Sequence, residues 1–405
     1  MKNGKDETME TMHNHKAVTV ACATILLLAL AGNAPAGQPD NAALLYYQAF
    51  LLYEKPDSAM EEMLADFRSR KIAANDVIRE HVEKNRRVID YVVKAASLAH
   101  CDWGFDYSQG MDLALPNGPG LRRVVFLLAA DAALLADQGD YRGALDRCLI
   151  IYKMSLQVTD KTLITYLLGV ALAALADRTI QETLAVVPGE DIETLSRLKA
   201  QVEQFQSAFP SLEYTLAQEA QVCAASISKE KVPMVLRVLS QDNPDFASSP
   251  EGTRILTGDE AFFERNRTHW FNTDKTLITA VQSKLPYPQM YAKLQELGEQ
   301  IGRESQTNPD GTFTGLMLPA IHRIYVLTTR LQTHFNALRT GIEIYMMKAR
   351  TGRLPDSLPA GTPPDLFSGQ PFAYEKTDGG FVLRCQAKEA AEKPEANRFE
   401  FKIKQ

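Results

Sequence analysis

Residues 121–184 read LRRVVFLLAADAALLADQGDYRGALDRCLIIYKMSLQVTDKTLITYLLGVALAALADRTIQETL, and this stretch decides the fold. Apolar residues recur in it at steps of three and four, the spacing that places side chains on one face of a helix. The first predicted helix is apolar almost all round and ends at Gly139-Asp140, whereas the second begins near Tyr141 and is amphipathic. The stretch therefore predicts a buried helical hairpin, followed by a third helix, on which the rest of the chain packs.

The third helix of this stretch raises the question of a membrane span. Residues 162–176 carry no charge, and Asp160-Lys161 and Asp177-Arg178 bound the run on its two sides. Asp160 is the predicted N-cap, since its carboxylate can accept hydrogen bonds from the free amides of the first turn. An uncharged run of this length is shorter than the roughly 20 residues that cross a bilayer. We interpret this helix as the buried centre of a bundle and not as a membrane span.

Length and composition are those of a globular protein. The chain has 405 residues, of which 45% are hydrophobic and 23% charged, and its formal net charge is -6. Because no dense run of basic residues is present, the composition argues against electrostatic binding to nucleic acid or to an anionic membrane surface.

The N-terminal sequence has the features of a secretory signal peptide, predicted to cover residues 1–36. Lys16 precedes the apolar run 17–31, and Ala34-Pro35-Ala36 supplies the small residues of a cleavage site. Three acidic residues stand where a positive region is expected, so translation is predicted to start at Met12. The alternative is an uncleaved signal anchor, which would attach the protein to the membrane. We expect an exported protein of the periplasm or cell envelope.

Export bears on how the cysteines are interpreted. Four remain after cleavage, and an oxidising compartment permits up to two disulfides among them, in three pairings: Cys101, Cys148, Cys223 and Cys385. Cys148 and Cys223 fall on apolar helical faces, where a thiol behaves as a small hydrophobic group. We therefore favour free thiols. The spacings match no zinc motif, and no metal or other cofactor is predicted.

The rest of the chain predicts a mainly α-helical fold, either a multi-helix bundle or an irregular array of α-hairpins, with a small C-terminal antiparallel sheet. Residues 37–315 form the predicted helical domain, and residues 316–405 a long helix with three short strands. Helices are predicted at 42–53, 58–70, 75–98, 192–208, 211–227, 259–284, 289–303 and 316–350, long loops at 100–120 and 241–258, and strands at 371–375, 381–385 and 399–403.

Two local patterns resemble known families. Ala136, Gly139-Asp140-Tyr141 and Ala144-Leu145 resemble the turn and second helix of a tetratricopeptide repeat, although the pattern occurs once and a solenoid needs about three repeats. Residues 352–383, with Leu354-Pro355-Asp356-Ser357-Leu358 and Gly379-Gly380, resemble the helix-to-sheet C-terminus of type II secretion pseudopilins. The processing site of a pseudopilin is missing, so assembly into a pilus is not implied.

The order of features along nearly the whole chain resembles a group of uncharacterised exported bacterial helical proteins. The shared features are the opening Asn41-Ala42-Ala43, the loop at Cys101-Asp102-Trp103, the apolar central stretch and the sheet after residues 354–358. The resemblance implies a helical architecture and export, and it implies no chemistry.

Several charged residues are candidates for a functional site. Glu260 and Glu264 share a helical face near Asp259 and His269, an arrangement that can hold a metal or act as acid and base, although exposed helices commonly carry such charges for solubility. Asp131 is the one charge in an apolar helix face, where an unpaired carboxylate is costly. Pairing with Arg122, Arg123 or Arg178 is the simpler explanation, and a ligand-binding carboxylate is the alternative.

Two further sequence patterns are weaker indications of a functional site. His100-Cys101-Asp102 places a thiol beside a base, but adjacent residues on a loop rarely face each other. Asn266-Arg267-Thr268 fits the glycosylation pattern, which matters only in a eukaryotic secretory pathway. The chain has no serine-hydrolase elbow, phosphate loop or dinucleotide fingerprint.

No catalytic residue is therefore assigned, and a non-enzymatic protein is favoured. We expect an exported helical scaffold or binding protein of the cell envelope, with a protein partner that the sequence does not identify and the C-terminal sheet as a docking surface. The alternative is an envelope hydrolase whose site lies between the loop at 100–120 and the central helices.

Overall fold

The computed structural model describes residues 40–115, 118–187, 191–318, 320–387 and 397–403. From Ala42 onward the described residues form one compact unit, and the described part of the separate N-terminal unit consists of Asp40 and Asn41. The predicted signal peptide lies outside the described residues, so its cleavage stays a prediction. The division between residues 315 and 316 also stays a prediction.

The fold is mainly α-helical with a small C-terminal antiparallel sheet, as predicted. The described residues contain fifteen α-helices: α1 (Ala42–Leu52), α2 (Ser58–Arg68), α3 (Asp76–Lys84), α4 (Arg86–Ser97), α5 (Gly118–Asp137), α6 (Tyr141–Val158), α7 (Leu163–Leu184), α8 (Ile192–Ala208), α9 (Leu212–Ala224), α10 (Val232–Asp242), α11 (Pro250–Thr257), α12 (Glu260–Gln282), α13 (Tyr287–Thr307), α14 (Thr312–Met317) and α15 (Ile321–Thr351).

The predicted central stretch forms α5, α6 and α7, and these helices organise the main core. Helix α6 packs against both α5 and α7, while α15 covers α7 and α8 from the other side. Large side chains of the central helices are fully buried there, among them Tyr152 and Tyr166. A second, smaller core forms between α9, α10 and α12 and contains Phe263 and Trp270.

The third central helix begins later than predicted and ends at Leu184, the last residue of the predicted central stretch. Thr162, not Asp160, is the N-cap, and its hydroxyl accepts from the amide of Thr165 at 3.2 Å. The helix continues past the charged pair Asp177-Arg178 to Leu184, so that it has 22 residues and is long and apolar enough to cross a membrane. Since 56% of its most apolar window is buried in the protein, α7 has the character of a core helix.

Two other predicted boundaries in this region are wrong. The single helix predicted at 75–98 is broken at Asn85, whose side chain accepts from the amide of Glu54 at 3.0 Å and donates to its carbonyl at 3.3 Å. The loop predicted at 100–120 ends earlier than expected, because α5 begins at Gly118 and carries Pro119 in its first turn, where the missing N–H is not needed.

Longer segments also differ from prediction. The loop predicted at 241–258 contains α11, and α10 precedes it where no helix was predicted. The helix predicted at 316–350 is divided into α14 and α15, and α15 then runs unbroken through Gly341. Glycine is needed at that position because a Cβ atom there would lie 2.5 Å from the ring of Phe401.

The C-terminal sheet consists of β1 (Ala373–Thr377), β2 (Gly380–Arg384) and β3 (Arg398–Lys402), in that order and antiparallel. A two-residue turn joins β1 to β2, since Thr377 pairs with Gly380, as the Asp378-Gly379 sequence predicts. Phe381 lies opposite Phe401, and both rings are buried near Tyr345 of α15. The long helix thus provides the cover that three short strands require.

Candidate functional site

The loop that precedes the central stretch is packed onto the bundle at Trp103. Its indole is 4% exposed, donates to the carbonyl of Gln157 at 2.8 Å and stacks on Tyr46 with ring centroids 5.5 Å apart. Further along, the amide of Met111 donates to the hydroxyl of Ser226 at 2.8 Å. The length of this loop is therefore explained by packing contacts.

The adjacent residues His100 and Cys101 have different environments. His100 is exposed and its carbonyl accepts from the amide of Ala42 at 2.9 Å, whereas the Cys101 thiol is half-buried. Burial raises the pKa of Cys101 to about 12, so the thiol is protonated at neutral pH. A protonated thiol is a poor nucleophile.

Asp131 is paired, as expected, but not with the arginines that were predicted. Its side chain is 1% exposed and its two oxygens accept from Arg86 at 2.9 Å and Arg147 at 2.7 Å. The predicted partners on its own helix, Arg122 and Arg123, are exposed and lie two turns away. Asp131 faces α4 and α6, because those helices cover its side of α5.

The acidic residues at the start of α12 and His269 each make separate contacts and do not form one site. Asp259 is the N-cap and accepts from the amide of Phe262 at 2.8 Å, Glu264 pairs with Arg267, and His269 Nδ1 lies 2.9 Å from the Thr314 hydroxyl. Across the described residues no group of three or more His, Cys, Asp or Glu side chains is placed to hold a metal ion.

The remaining sequence candidates are internal. Asn266 is completely buried, and its amide donates to the carbonyls of Phe262 and Pro309, so it is no glycosylation acceptor in this fold. The four cysteines of the described region are free thiols, and Cys148 and Cys223 are buried as their helical positions predict.

Helices α2, α3, α5 and α7 instead surround a pocket with a volume of about 940 Å³, here called the α5–α7 pocket. Its floor is apolar. Leu168, Ala171, Leu172 and Leu175 of α7 line it at helical spacing. Phe126 and Leu127 of α5 and Leu64 of α2 complete this surface. A concave apolar site of this size is typical of small-molecule binding.

The apolar floor exists because one face of α7 is left uncovered. Ala171 is exposed, and Leu168 and Leu175 are only half-buried, although most of the helix is internal. The same face continues one turn towards the N-terminus of α7 to Ile164, which is 64% exposed. Exposed apolar residues in a continuous stripe commonly mark an interaction surface.

Basic side chains surround the floor. Lys55, Arg68, Arg122 and Arg123 line the pocket, and Glu61 is the one carboxylate among its lining residues. Within the part of the chain that the structure describes, none of the four basic groups is within 4.0 Å of a carboxylate, whereas many other arginines of the protein are ion-paired. The pocket is therefore electrostatically positive.

The guanidinium groups lie on aromatic rings. Arg68 is 4.4 Å and Arg122 is 5.4 Å from the centroid of Phe126, and Arg123 is 5.9 Å from that of Tyr53. Cation–π contacts of this kind hold an arginine in place but leave its N–H donors free for an anion. Two guanidinium groups are thus held near one ring at the edge of the apolar floor.

Arg68 is half-buried and lies close enough to Arg178 to be affected by its charge. Burial lowers the pKa of its guanidinium, nearby Tyr53 opposes that effect, and the charge of Arg178 lowers the pKa further. Arginine remains protonated under these conditions. A bound anion would offset both the cost of burying the Arg68 charge and its repulsion from Arg178.

His81 of α3 adds a polar group to the lining. The residue is 8% exposed, and its Nε2 atom is buried without a hydrogen-bond partner among the described residues. Burial lowers its pKa, so the ring is mostly neutral at neutral pH. An unsatisfied buried nitrogen costs stability, and a hydrogen bond from water or from a ligand in the pocket would remove that cost.

A smaller pocket of about 310 Å³ adjoins the first. The two share Arg68, Phe126 and Leu175, and the second extends between α2, α5 and α7 towards Arg178. The apolar surface therefore continues past the Arg68–Phe126 contact.

The sequence did not predict this pocket. Arg122 and Arg123 were assigned as partners of Asp131, and Arg68 and His81 carried no motif. Two cationic residues at the start of a long apolar helix were the one available signal. No family model, curated protein or solved structure shows significant similarity to this chain.

Proposed function

We propose that this protein is an exported, non-catalytic binding protein of the cell envelope, and that the α5–α7 pocket holds a small, mainly apolar ligand. The observation that supports this proposal is the uncovered apolar face of α7 at the floor of a concave pocket of about 940 Å³. Leaving that face to water is unfavourable, and a bound apolar molecule would remove it from solvent.

The arrangement of the described lining residues supports binding in preference to catalysis. Its titratable lining residues are the four cations, Tyr53, Glu61 and His81, and none of them forms a nucleophile–base pair in the described hydrogen-bond network. Burial raises the pKa of Tyr53 and lowers that of His81, so both side chains are mostly neutral. These groups orient and anchor a ligand.

The binding function is tested by filling the pocket. Ala171→Trp places a large side chain on the exposed floor, and Ala261→Trp is the matched control at an exposed site on α12. We expect a neutral apolar dye such as Nile red to bind the wild type and the control with equal affinity, and Ala171→Trp at least about tenfold more weakly, a loss of about 1.4 kcal/mol. Circular dichroism checks that all three proteins are folded. Equal binding by the blocked variant, or no binding by the wild type, would refute the proposal.

Export is tested by fractionating cells that express the full chain. We expect the protein in the periplasmic or envelope fraction with a mature N-terminus at Gly37, measured by intact-mass spectrometry. A full-length protein in the cytoplasm would contradict export. A full-length protein in the membrane fraction would contradict cleavage and support the signal-anchor alternative.

A further inference from the structure

We propose that the ligand of the α5–α7 pocket is a free fatty acid, with its acyl chain on the apolar floor and its carboxylate at Arg68 and Arg122. The inference rests on the proposed binding function and names its ligand class. Two independent features of the pocket support it, the charge of its rim and the apolar character of its floor.

The rim carries an excess of positive charge and is complementary to an anion. Four basic side chains face one carboxylate, Glu61, and Arg68 and Arg122 are both held on the ring of Phe126. A guanidinium presents parallel N–H donors that match the two oxygens of a carboxylate. Because Arg68 is half-buried and repelled by Arg178, an anion at this point gains more than one at an exposed lysine.

Helix α5 adds to this positive potential. The helix begins at Gly118, and Gly118 and Pro119 themselves line the pocket. The N-terminal end of a helix carries a partial positive charge, which favours an anion nearby. This contribution acts together with the side-chain cations at the same end of α5.

The floor offers an apolar surface to an acyl chain. It consists of the uncovered stripe of α7 from Leu168 to Leu175 together with Phe126, Leu127 and Ala130 of α5. The α5 lining as a whole, from the positive end at Gly118 to Ala130, extends roughly 18 Å along the helix axis.

The adjoining pocket contains further apolar side chains, Val125, Ala129 and Leu175, beside the charged groups Asp66, Lys71, Arg178 and Glu182. An acyl chain whose carboxylate binds at Arg68 and Arg122 therefore extends from Phe126 along the apolar floor of the α5–α7 pocket.

The same lining disfavours other ligand classes. A nucleotide or sugar would bring many hydroxyl and base groups against leucine and alanine side chains, where they would lose hydrogen bonds to water. A neutral lipid would leave the cations at the rim without a partner. A fatty acid satisfies both parts of the site with one molecule.

The experiment compares palmitic acid with its methyl ester, which keeps the chain and removes the charge. Competition against bound Nile red measures both affinities in the wild type, in Arg68→Gln/Arg122→Gln and in Arg87→Gln. Arg87 is exposed on α4 and lines none of the pockets described above, so its substitution is the matched control. Lysophosphatidylglycerol and vesicles of anionic phospholipid are tested in parallel.

We expect the wild type and the control to bind the acid at least about tenfold more tightly than the ester, and the double variant to bind both equally. Equal affinity for acid and ester in the wild type, with Nile red binding weakened in Ala171→Trp, would overturn the fatty-acid assignment and leave the binding function intact. Tighter binding of the lysophospholipid, or binding to vesicles alone, would also overturn it. If neither compound depends on the pocket, the binding function itself fails.

Discussion

At the scale of single residues, two of the buried aspartates, Asp131 and Asp177, have opposite environments. Asp131 receives hydrogen bonds from Arg86 and Arg147. Asp177 is completely buried, accepts one bond from the Tyr152 hydroxyl, and leaves its Oδ2 atom without a hydrogen bond among the described residues, 3.9 Å from His334 Nδ1. Burial raises the pKa of Asp177 to about 8, and the bond from Tyr152 partly opposes this effect.

The raised pKa of Asp177 predicts a pH-dependent stability. The folded protein holds a proton that the unfolded chain loses near its ordinary pKa of about 3.9, so stability is lost as pH rises from about 4 through about 8. Replacing Asp177 by Asn keeps an acceptor for Tyr152 and removes the titration. We expect the wild type to lose on the order of 3 kcal/mol more than Asp177→Asn between about pH 5 and pH 8. Urea unfolding at both pH values measures this, with the half-exposed Asp146→Asn as the control, and parallel profiles would contradict it.

The pairing of Asp131 predicts a contrast between two arginines of similar exposure. Arg147→Ala removes one of the two partners of a buried carboxylate, whereas Arg197→Ala removes the partner of Asp146, which is 43% exposed. We expect a loss of about 3 kcal/mol for the first and below about 1 kcal/mol for the second. Chemical denaturation of the two variants gives the comparison, and similar losses would mean that Asp131 does not depend on its ion pairs.

The sequence predicts only part of the environments of these two aspartates. Asp131 was recognised because it stands alone in an apolar helix, but its partners come from α4 and α6, which no local pattern identifies. In the sequence, Asp177 is one of the charges that bound the uncharged run 162–176. In the folded chain Asp177 points into the core while Arg178, its neighbour, is exposed, and only tertiary packing separates the two.

At the scale of elements, the positions of most helices follow from periodicity, and their ends do not. Helix α8 is found at the predicted residues, and the three strands are within two residues of their predicted positions. Boundaries failed where a side chain makes a contact far along the chain. Asn85 breaks a helix because it binds the backbone of Glu54, and Gly341 does not break one because Phe401 packs over it.

The close contact between Gly341 of α15 and Phe401 predicts that alanine at this helical glycine lowers the stability of the protein. Alanine at an exposed helical glycine stabilises by about 0.5–1 kcal/mol, and we expect this for Gly302→Ala on α13, where no atom lies within 4 Å of the new Cβ. At Gly341 the new Cβ would lie 2.5 Å from the Phe401 ring, so we expect Gly341→Ala to destabilise by about 1–3 kcal/mol. Thermal unfolding of both variants measures the difference. Stabilisation by both would show that the sheet does not pack closely on α15.

At the scale of the whole molecule, the candidate site arises from helices that are distant in the sequence. Residue 55 and residue 175 both line the α5–α7 pocket, and the intervening helices α2 to α6 set their distance. The apolar character of α7 was predicted from its composition. The packing of α2 and α3 leaves one face of α7 open, beside arginines that have no carboxylate partner among the described residues. Local sequence pattern does not predict that packing.

Ligand binding at this site should stabilise the entire fold. A ligand present at 100 times its dissociation constant adds about 2.7 kcal/mol to the free energy of unfolding, provided that it binds only the folded state. We therefore expect palmitate to raise the melting temperature of the wild type and of Ala261→Trp. The melting temperature of Ala171→Trp should not change. A rise of the same size in all three proteins would place the binding elsewhere.

The central claim is that the pocket between α2, α3, α5 and α7 is the binding site, and photo-crosslinking tests it most directly. A palmitic acid that carries a diazirine on its chain is irradiated with the full-length protein, and the labelled peptides are identified by mass spectrometry. The account predicts adducts within residues 53–81, 118–130 and 168–175, which are lost in Ala171→Trp and retained in Ala261→Trp. Adducts that map to α13, to the C-terminal sheet or evenly over the surface would contradict it.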